Sequence, residues 1–331
     1  MVLFSAVAMR AEEEIHNIQN IFEPTSTPAE GILEIAWVVL TICAGIFVVV
    51  AGLMVYAIIR FRAKKDDDGS EPAQVYGSNQ IEMAWTVIPL LIVLVLVFVT
   101  ARKTITIQNM PFPEGTLEVN IIGHQWWWEV EYPQYGFITA NEIHIPVSEG
   151  DIKRPTIINL ESADVIHSFW VPKLGGKRDV VPNYPNQIWY EPDETGIYLG
   201  NCAEFCGTQH ANMQIRVVVQ TPEDFEAWLK NQQTPPREDA SVATGRRMFE
   251  SLACISCHAI GEKGANNGFG PDLTHLMSRQ TIGAGVADTN YDDIHQWLKD
   301  PDSLKPGCYM PDMKLTDDQL KHLTEYLLTL H

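Results

Sequence analysis

Basic residues and cysteines are scarce in this chain of 331 residues. Its 23 lysines and arginines face 42 aspartates and glutamates, and the resulting formal charge of −19 would repel a phosphate backbone, so we expect no nucleic-acid partner. Six cysteines are too few for a disulfide scaffold at this length, and four of them form two close pairs with histidine nearby, which favours metal or cofactor chemistry. With 46% hydrophobic residues the chain is not disordered, and it is long enough for two or three domains.

Charged residues are also absent from two long apolar runs, Ile35 to Ile59 and Met83 to Ala101. Each run is long enough to cross about 30 Å of hydrocarbon as a helix, which predicts a two-helix transmembrane hairpin. We expect Pro89 in the first turns of the second helix, where a missing backbone donor costs least. Two buried helices of a soluble core are the alternative. The predicted domain is residues 1–103, with helices at about 33–60 and 82–102.

The flanking charges of this hairpin predict its orientation. The connecting loop opens with RFRAKK, Arg60 to Lys65, which the positive-inside rule places in the cytoplasm, so that both termini lie outside. Arg102 and Lys103 follow the second run and reduce this asymmetry. Residues Met1 to Met9 are apolar but lack a basic lead-in, so they fit a complete signal peptide poorly, and a remnant of one is the remaining interpretation.

Short alternating stretches follow the second apolar run and predict β-strands. They are LEVNII from Leu117, EIHIPV from Glu142, PTIINL from Pro155, GIYLGN from Gly196 and QIRVVVQ from Gln214. Turn signals separate them, as in an antiparallel sandwich. Thr221 can cap a short helix, TPEDFEAWLKN, with Phe225 and Trp228 on one face. We predict an all-β sandwich over residues 104–231 and a polar, proline-containing linker at residues 232–239.

The pentapeptide CISCH has the spacing of a covalent haem attachment site. Cys254 and Cys257 would form thioethers to haem c, and the adjacent His258 would ligate its iron. A zinc half-site or a redox-active cysteine pair is the alternative for this motif alone. Helical patterns surround it, and the C-terminal LTDDQLKHLTEYLLTL has a capping box and a leucine-lined face. We therefore predict an all-α domain around a haem in residues 240–331.

A sixth ligand for such an iron must come from another segment. KPGCYMPDM offers the thioethers of Met310 and Met313, soft ligands that raise the reduction potential. The domain resembles class I cytochromes c, in which the methionine of a Met-Pro pair ligates the iron, and this resemblance favours Met310. His275, His295 and His322 are rival ligands, and ordinary surface or packing histidines are the alternative for them.

A second group of soft ligands lies in NCAEFCGTQHANM, which contains Cys202, Cys206, His210 and Met213. An upstream histidine, His167 in SADVIHSFWVP, brings the set to two thiols, two imidazoles and a thioether. Soft sulfur with imidazole on a β-sandwich selects copper, and the methionine has a role only for copper. Tetrahedral zinc bound by the two cysteines and two histidines, and a plain disulfide, are the alternatives.

These stretches carry a specific resemblance. DVIHSFWVPKLGGKRDVVP and CAEFCGTQHANM resemble the cupredoxin-like domain that holds the binuclear copper centre, CuA, in subunit II of haem–copper cytochrome c oxidases. The resemblance extends through both apolar runs and GHQWWWEVEY. It implies two coppers held by His167, Cys202, Cys206, His210, Met213 and the backbone carbonyl of Glu204. It also implies that the Glu204 side chain helps to hold a magnesium ion at the interface with subunit I; a surface acid is the alternative.

Two further residues gain roles from the same resemblance. Trp126 corresponds to the tryptophan through which electrons enter CuA from cytochrome c, although this chain has Trp127 where the family more often has tyrosine. Adjacent tryptophans in a strand face opposite sides, so only one side can be buried. Glu82, in IEMAWTVIP, corresponds to the acid at the mouth of the proton channel named for its lysine; an interfacial glutamate without that role is the alternative.

The whole chain resembles subunit II of a caa-type cytochrome c oxidase, in which a cytochrome c domain is fused to the CuA domain. The implied function is electron transfer from an external donor, a cytochrome c or another respiratory complex, through haem c and CuA to haem a of subunit I, where oxygen is reduced to water and protons are pumped. The implied partners are subunit I, other subunits such as subunit III, and membrane lipid, with both soluble domains on the outer face of the bacterial cell membrane. The alternatives are a quinol oxidase subunit, against which the intact copper ligands argue, and a membrane-anchored electron-transfer or copper-assembly protein outside an oxidase.

Overall fold

The computed structural model describes residues 15–16, 19–62, 71, 73–74, 76–236, 239–261, 263–264 and 268–331. The apolar segment Met1 to Met9, the lysines of RFRAKK and part of the expected linker lie outside the described residues. The chain divides into two compact units, Gly31–Pro111 and a larger one that combines Met1–Glu30 with Phe112–His331. The β-sandwich and the helical C-terminal part belong to the same unit.

The smaller unit is a pair of apolar helices. α1 spans Thr27–Arg60 and α2 spans Asn79–Gln108, and both are long and apolar enough to cross a membrane. Their large apolar side chains are exposed, as expected for helices that face lipid. An ion pair between Lys103 and Glu34 joins the two helices. Both helices extend beyond the predicted limits, because an apolar run marks only the hydrocarbon-spanning part while polar residues continue the helix.

The limits of α2 change two expectations. Pro89 lies in the interior of the helix and not in its first turns, because α2 begins at Asn79, before the apolar run. The expected position of Pro89 is therefore wrong, and the proline removes an N–H that would otherwise bond to the carbonyl of Trp85. At its other end α2 continues to Gln108, so the predicted domain boundary at residue 103 falls inside the helix.

The larger unit contains a β-sandwich of two sheets. Its strands are β1 Ile15–His16, β2 Leu117–His124, β3 Trp127–Tyr132, β4 Phe137–Ala140, β5 Glu142–Pro146, β6 Thr156–Ser162, β7 His167–Trp170, β8 Arg178–Val180, β9 Asn186–Tyr190, β10 Gly196–Cys202 and β11 Gln214–Gln220. One sheet has the order β5-β11-β10-β7-β8, with β1 also paired to β10, and the other has the order β4-β3-β2-β6-β9. Each strand predicted from alternation is present.

The sequence led us to expect a purely antiparallel sandwich. The sandwich is instead mixed, with both parallel and antiparallel strand pairs. β2 pairs in parallel with β6, and β5 pairs in parallel with β11. Parallel partners need long connections, and other strands separate the members of both pairs along the chain. Alternation within a strand carries no information on the direction of its partner, which is why the prediction failed on this point.

The core of the sandwich is closed by a helix. Alternate residues of β2 are buried, and α3, which spans Pro222–Gln232, packs beside this core. The helix begins after Thr221, whose side chain accepts the backbone N–H of Asp224, as predicted. The ring of Trp228 lies edge-on to that of Tyr132, with 5.1 Å between centroids.

The C-terminal part is mainly helical. Its helices are α4 Ala243–Ser251, α5 Tyr291–Lys299, α6 Pro301–Leu304 and α7 Asp317–Leu327, and its short strands are β12 Ala259–Ile260, β13 Lys263–Gly264, β14 Thr281–Ile282 and β15 Ala287–Asp288. Thr316 and Gln319 form the predicted capping box of α7. The leucine-lined face of this last helix is buried against α4 and α5.

Helices α4 and α7 approach each other closely at Gly245. A Cβ atom there would lie 2.0 Å from the carbonyl oxygen of His322 and 2.7 Å from Cβ of Tyr326. Gly245→Ala should therefore destabilise the C-terminal part by about 1–3 kcal/mol, as overpacking typically does. Thermal unfolding of the full chain in detergent, followed by circular dichroism, measures the effect. Arg247→Ala, on the exposed side of α4, is the control. Equal midpoints for the two variants would contradict this close packing.

Candidate functional site

Strand pairing brings the first predicted copper ligand to the second. β7 starts at His167 and β10 ends at Cys202, and Phe169 of β7 is the register partner of Cys202. Residues 203–213, named here the copper loop, then lead into β11, which pairs with β10 in the antiparallel sense. Neighbouring strands therefore fix both ends of the copper loop.

The Cys202 thiol has three neighbours with ligand atoms. Its Sγ lies 3.9 Å from Nδ1 of His167 and 3.2 Å from the carbonyl oxygen of Glu204. The Sγ of Cys206 is 3.8 Å away, and the two sulfurs are not bonded to each other. The disulfide alternative is therefore not what the structure contains.

The Cys206 thiol completes the arrangement from the other side. Its Sγ lies 3.7 Å from Nδ1 of His210 and 3.8 Å from Sδ of Met213. Cys206 and Met213 are buried, and the ligand atoms of His167, Cys202 and Cys206 all lie within 4.8 Å of one another. The structure therefore brings together all six donors that the resemblance implies.

The two thiols share a hydrogen bond and respond to it in opposite directions. This bond is the main reason why the pKa of Cys202 lies far below its ordinary value, with a further contribution from His167. The same bond raises the pKa of Cys206, because loss of the Cys206 proton would remove it. Thiolates bind metals and thiols do not, so a pair that loses its first proton readily is suited to a cation.

The donor set fits copper better than zinc. Zinc would take both sulfurs and both imidazoles in a tetrahedron and would leave Sδ of Met213 and the carbonyl of Glu204 unused. The donors instead form two groups around two adjacent sulfurs, which suits two cations. Thiolate and thioether sulfur together with imidazole select copper.

The helical C-terminal part encloses a largely apolar cavity. Its lining includes the predicted haem ligands Cys254, Cys257, His258 and Met310, and also Met313. Both cysteines of the CISCH motif are free thiols, as thioether formation requires. Nδ1 of His258 donates to the carbonyl oxygen of Pro271 at 2.8 Å, which leaves a lone pair on Nε2 for a metal.

The surroundings of His258 also suit an iron ligand. Burial lowers the pKa of this imidazole, so that it stays neutral and able to bind a metal. A Cβ atom at Gly270 would lie 2.6 Å from the imidazole Cε1, so only glycine leaves room for the ring in this position. The residues that line the cavity thus fit a covalently attached haem.

Both candidate methionines reach this cavity. Met310 packs against the helical core, and its Sδ accepts the indole N–H of Trp297 at 2.8 Å. Met313 is 37% exposed. The better-buried thioether is the stronger candidate, and its role as iron ligand stays a prediction.

The three rival histidines have other partners. Nε2 of His275 bonds to the carbonyl oxygen of Thr234 at 2.9 Å, and the ring of His295 stacks on Tyr291. His322 faces two carboxylates of its own helix. The lining of the cavity that the structure describes includes none of the three.

Trp126 contacts both candidate sites. Its indole Nε1 donates to the carbonyl oxygen of Cys206 at 3.0 Å, and its ring lies 4.9 Å from that of Tyr309, the sequence neighbour of Met310. The Tyr309 hydroxyl donates to Oε1 of Gln125 at 3.0 Å, and Nε2 of Gln125 donates to the same Cys206 carbonyl at 2.7 Å. Trp126 also lines the cavity. Two short chains of contacts therefore connect the cavity with the copper loop.

The three consecutive tryptophans have different surroundings. Trp126, in the turn between β2 and β3, and Trp128 are buried. Trp127 is half-buried, and its ring stacks on His124 with 4.5 Å between centroids. The residue that departs from the family pattern thus contacts His124, while Trp126 contacts the copper loop.

The two carboxylates implied by the resemblance are both exposed. Glu204 turns its carbonyl oxygen towards Cys202, while its side chain faces outwards. Glu82 lies in the first turn of α2. Their roles in magnesium binding and proton uptake stay predictions.

Three family profiles match consecutive parts of the chain. They are "Cytochrome C oxidase subunit II, transmembrane domain" over residues 15–102, "Cytochrome C oxidase subunit II, periplasmic domain" over residues 117–221 and "Cytochrome c" over residues 242–331. Cytochrome c oxidase subunit 2 of Alkalihalophilus pseudofirmus is 34% identical over 315 residues, which cover 93% of this chain and 90% of the relative. The chain belongs to the cytochrome c oxidase subunit II family.

Other subunits II are similar over a somewhat smaller part of the chain. Cytochrome c oxidase subunits 2 of Bacillus sp. PS3 and Bacillus subtilis are each 35% identical, over 82% of this chain and 80% of each relative. Among solved structures, the periplasmic domain of cytochrome oxidase subunit II from Bradyrhizobium japonicum is 29% identical, covers 37% of this chain and 96% of that chain, and has a TM-score of 0.34.

Family membership confirms several predictions. This subunit II is a component of a haem–copper oxidase complex and is anchored in a membrane by its two helices. Its periplasmic-type domain implies CuA, and its cytochrome c domain, residues 242–331, implies haem. The fusion of the two is the caa-type architecture that the sequence predicts. The fold class, with hairpin, sandwich and helical domain in that order, is confirmed as well.

Sequence reasoning missed a residue that orients a predicted copper ligand in this subunit II. Oδ1 of Asp164 lies 2.9 Å from Nε2 of His167, which turns Nδ1 towards Cys202. Asp164 also accepts the backbone N–H of Gln125 at 2.6 Å. Burial raises the pKa of Asp164, but the hydrogen bond with His167 and two backbone N–H groups outweigh it and hold that pKa below its ordinary value. The signal was present in SADVIH, where an acid precedes the histidine by three residues.

Asp164→Asn should weaken copper binding about 10- to 100-fold, as loss of an outer-shell partner of a ligating histidine typically does. The amide carries no charge and does not enforce the tautomer of His167 that binds copper through Nδ1. Copper retained by the full chain after dialysis against graded chelator, measured by elemental analysis, tests this. The exposed Asp193→Asn is the matched control, and equal retention in both variants would show that Asp164 does not position His167.

Proposed function

We propose that this subunit II receives single electrons from an external donor at haem c and passes them through CuA to haem a of subunit I, where oxygen is reduced to water and protons are pumped. The observation that carries the proposal is the position of Trp126, which lines the haem cavity and donates a hydrogen bond to the carbonyl of the copper-loop residue Cys206. Because both sites lie in one compact unit, electrons can pass between them within the chain.

At the copper site, this chain's contribution is to hold soft ligands in fixed positions. The ligands would be His167, Cys202, Cys206, His210, Met213 and the carbonyl oxygen of Glu204. Copper bound there supplies a one-electron redox couple. β10 and β11 anchor the loop, and Asp164 orients the imidazole that lies outside it. Ligands held in this way keep their positions when the charge of the site changes.

At the haem site, Cys254 and Cys257 would attach the cofactor, and His258 and Met310 would ligate its iron. Haem bound there supplies a second one-electron couple, whose potential a thioether ligand raises. Pro271 fixes the orientation of the His258 ring, and the apolar lining limits the access of water.

Between the sites, Tyr309 and Trp126 supply a direct contact of aromatic rings. Tyr309 adjoins Met310 in sequence and its ring lies 4.9 Å from that of Trp126, which bonds to Cys206. In this proposal Trp126 accepts electrons from the chain's own haem and not directly from a separate cytochrome. Trp126 is only 6% exposed, which supports that assignment.

The copper loop also offers a surface for subunit I. Phe205 is 75% exposed beside the exposed carboxylate of Glu204, and an apolar residue of this size on a ligand loop suits a protein partner. We place magnesium at Glu204 in that interface and proton uptake at Glu82. Both soluble domains would lie on the outer face of the bacterial cell membrane, with lipid and subunits such as subunit III around α1 and α2.

Purification in mild detergent tests the function. A complex that contains this chain and subunit I should consume oxygen when it is supplied with a reduced one-electron donor, and it should contain two CuA coppers and one haem c per chain. Met213→Leu should abolish most of this activity without loss of the complex. A chain that purifies from membranes alone, or that contains zinc or a single localised copper, would contradict the proposal and favour a copper-assembly or other electron-transfer protein.

Met310→Leu should remove the low-spin spectrum of a methionine-ligated haem and lower its reduction potential, because the thioether stabilises the reduced iron. Absorption spectroscopy and a redox titration of the full chain measure both effects. Met313→Leu is the matched control, since Met313 lines the same cavity. If only the Met313 variant loses the spectrum, Met313 is the ligand and the assignment of Met310 is wrong.

A further inference from the structure

Two charged side chains are buried where the sandwich meets the cytochrome domain. Glu142, the first residue of β5, is 1% exposed, and Lys305, which directly follows α6, is 3% exposed. A buried charge is strongly unfavourable unless close hydrogen bonds replace the water that it has lost. The partners of these two charges therefore show what holds the contact together.

Glu142 of the sandwich is satisfied by groups of the cytochrome domain. The backbone N–H of Gln280 lies 2.9 Å from both carboxylate oxygens, and the backbone N–H and hydroxyl of Thr281 lie 2.9 and 3.0 Å from Oε1. Arg216 lies behind the carboxylate, with Nε 3.9 Å from Oε1. Burial raises the pKa of Glu142, and all of these groups oppose that rise because they are donors or carry positive charge.

Lys305 of the cytochrome domain makes the reverse arrangement. Its Nζ donates to the carbonyl oxygens of Trp126 at 2.7 Å and Asn212 at 2.8 Å, both in the sandwich, and to that of Gly283 at 2.7 Å in its own domain. Three acceptors match the three hydrogens of an ammonium group, whereas a neutral amine has only two. Burial lowers the pKa of Lys305 to about 7, so these carbonyls must replace the lost water if the charge is to remain.

These contacts hold one short segment of the cytochrome domain, residues 280–284, along its length. Glu142 binds its first two backbone N–H groups, and Lys305 binds the carbonyl of Gly283. The backbone N–H of Gln214, the first residue of β11, donates to the carbonyl of Ala284 at 3.2 Å. Gln214 follows Met213 directly, so this hydrogen bond lies at the end of the copper loop.

We propose that Glu142 and Lys305 are positioning residues that hold the cytochrome domain docked in one orientation on the sandwich, with its haem cavity against Trp126. A flexible linker alone would raise the effective concentration of the domain but leave its orientation free. Buried charges with complete hydrogen bonding favour one orientation, since any other leaves them unpaired. The consequence for electron transfer rests on the proposed function, whereas the docking itself does not.

Hydrogen exchange of the intact oxidase complex, followed by mass spectrometry with residue-level fragmentation, tests the docking. The reporters are the backbone N–H groups of Gln214, Gln280 and Thr281, which bond across the contact. Lys305→Met should accelerate exchange at all three by a similar factor, about 10- to 100-fold for the loss of hydrogen bonds to a charged group. Glu142→Gln should accelerate exchange at Gln214 as well, although Gln214 does not contact it.

The control variants are Lys299→Met and Glu118→Gln, which remove exposed charges of the same types from the same two domains. Neither should change exchange at the reporters. Lys305→Arg keeps the charge and the donors and should restore part of the protection, which separates charge from packing. If the Lys305→Met complex fails to assemble, Glu142→Gln, which keeps the side-chain shape, carries the test.

A second measurement follows one electron after rapid photochemical reduction of the haem, until it appears on the copper pair. The rate should fall at least about tenfold in Lys305→Met, while the separate haem and copper spectra stay unchanged. Fixed docking would be overturned if each variant accelerated exchange only near its own site. That result would be faster exchange at Gln214 alone in Lys305→Met, and at Gln280 and Thr281 alone in Glu142→Gln. A wild-type complex without copper or haem would overturn the proposed function, and coupled exchange in that complex would still support docking.

Discussion

The separation of the two cysteine sulfurs, 3.8 Å without a bond, is the constraint on which the rest of the larger unit depends. A hydrogen bond joins the two sulfurs while one proton remains, but two thiolates at this distance repel each other, so the backbone must hold them there when both protons are lost. β10 and β11 fix the ends of the copper loop, and the side chains of Gln125 and Trp126 bond to the carbonyl of Cys206. The ligand loop is therefore tied to the sandwich at its ends and in its middle, as a preorganised metal site requires.

The same loop provides the surface against which the cytochrome domain packs. Lys305 bonds to the carbonyl of Asn212, and the side chain of Gln209 donates to the carbonyl of Pro306. Tyr309 covers Trp126 a few residues further along the same segment. One face of the copper loop thus carries the predicted metal ligands, while another contacts the cytochrome domain. A change in the structure of the copper loop would therefore alter the contact between the domains directly, without a conformational change in any other segment.

Local sequence patterns predicted most of the elements, because their causes are local. Hydropathy indicated both membrane helices, alternation indicated strands, and Thr221 and Thr316 marked the starts of α3 and α7. Ligand spacing, with the family resemblance, indicated the donors that the structure brings together around two sulfurs. The parallel pairings of β2 with β6 and β5 with β11 were missed, since partner direction depends on chain connections. Lys305 was missed because its local sequence does not distinguish it from a surface lysine. Its burial depends on carbonyl groups from two domains.

Docking in one orientation separates two requirements that a soluble cytochrome must meet with a single surface. A diffusing cytochrome uses one exposed haem edge both to collect electrons and to deliver them, and each partner must release it. Here Trp126 is buried and its ring lies tilted against that of Tyr309, so under the proposed function delivery would use this internal contact. Under the proposed function, the external donor would meet the remaining surface of the cytochrome domain. That surface could then change to suit a different donor without altering residues such as Lys305 and Tyr309, which contact the sandwich.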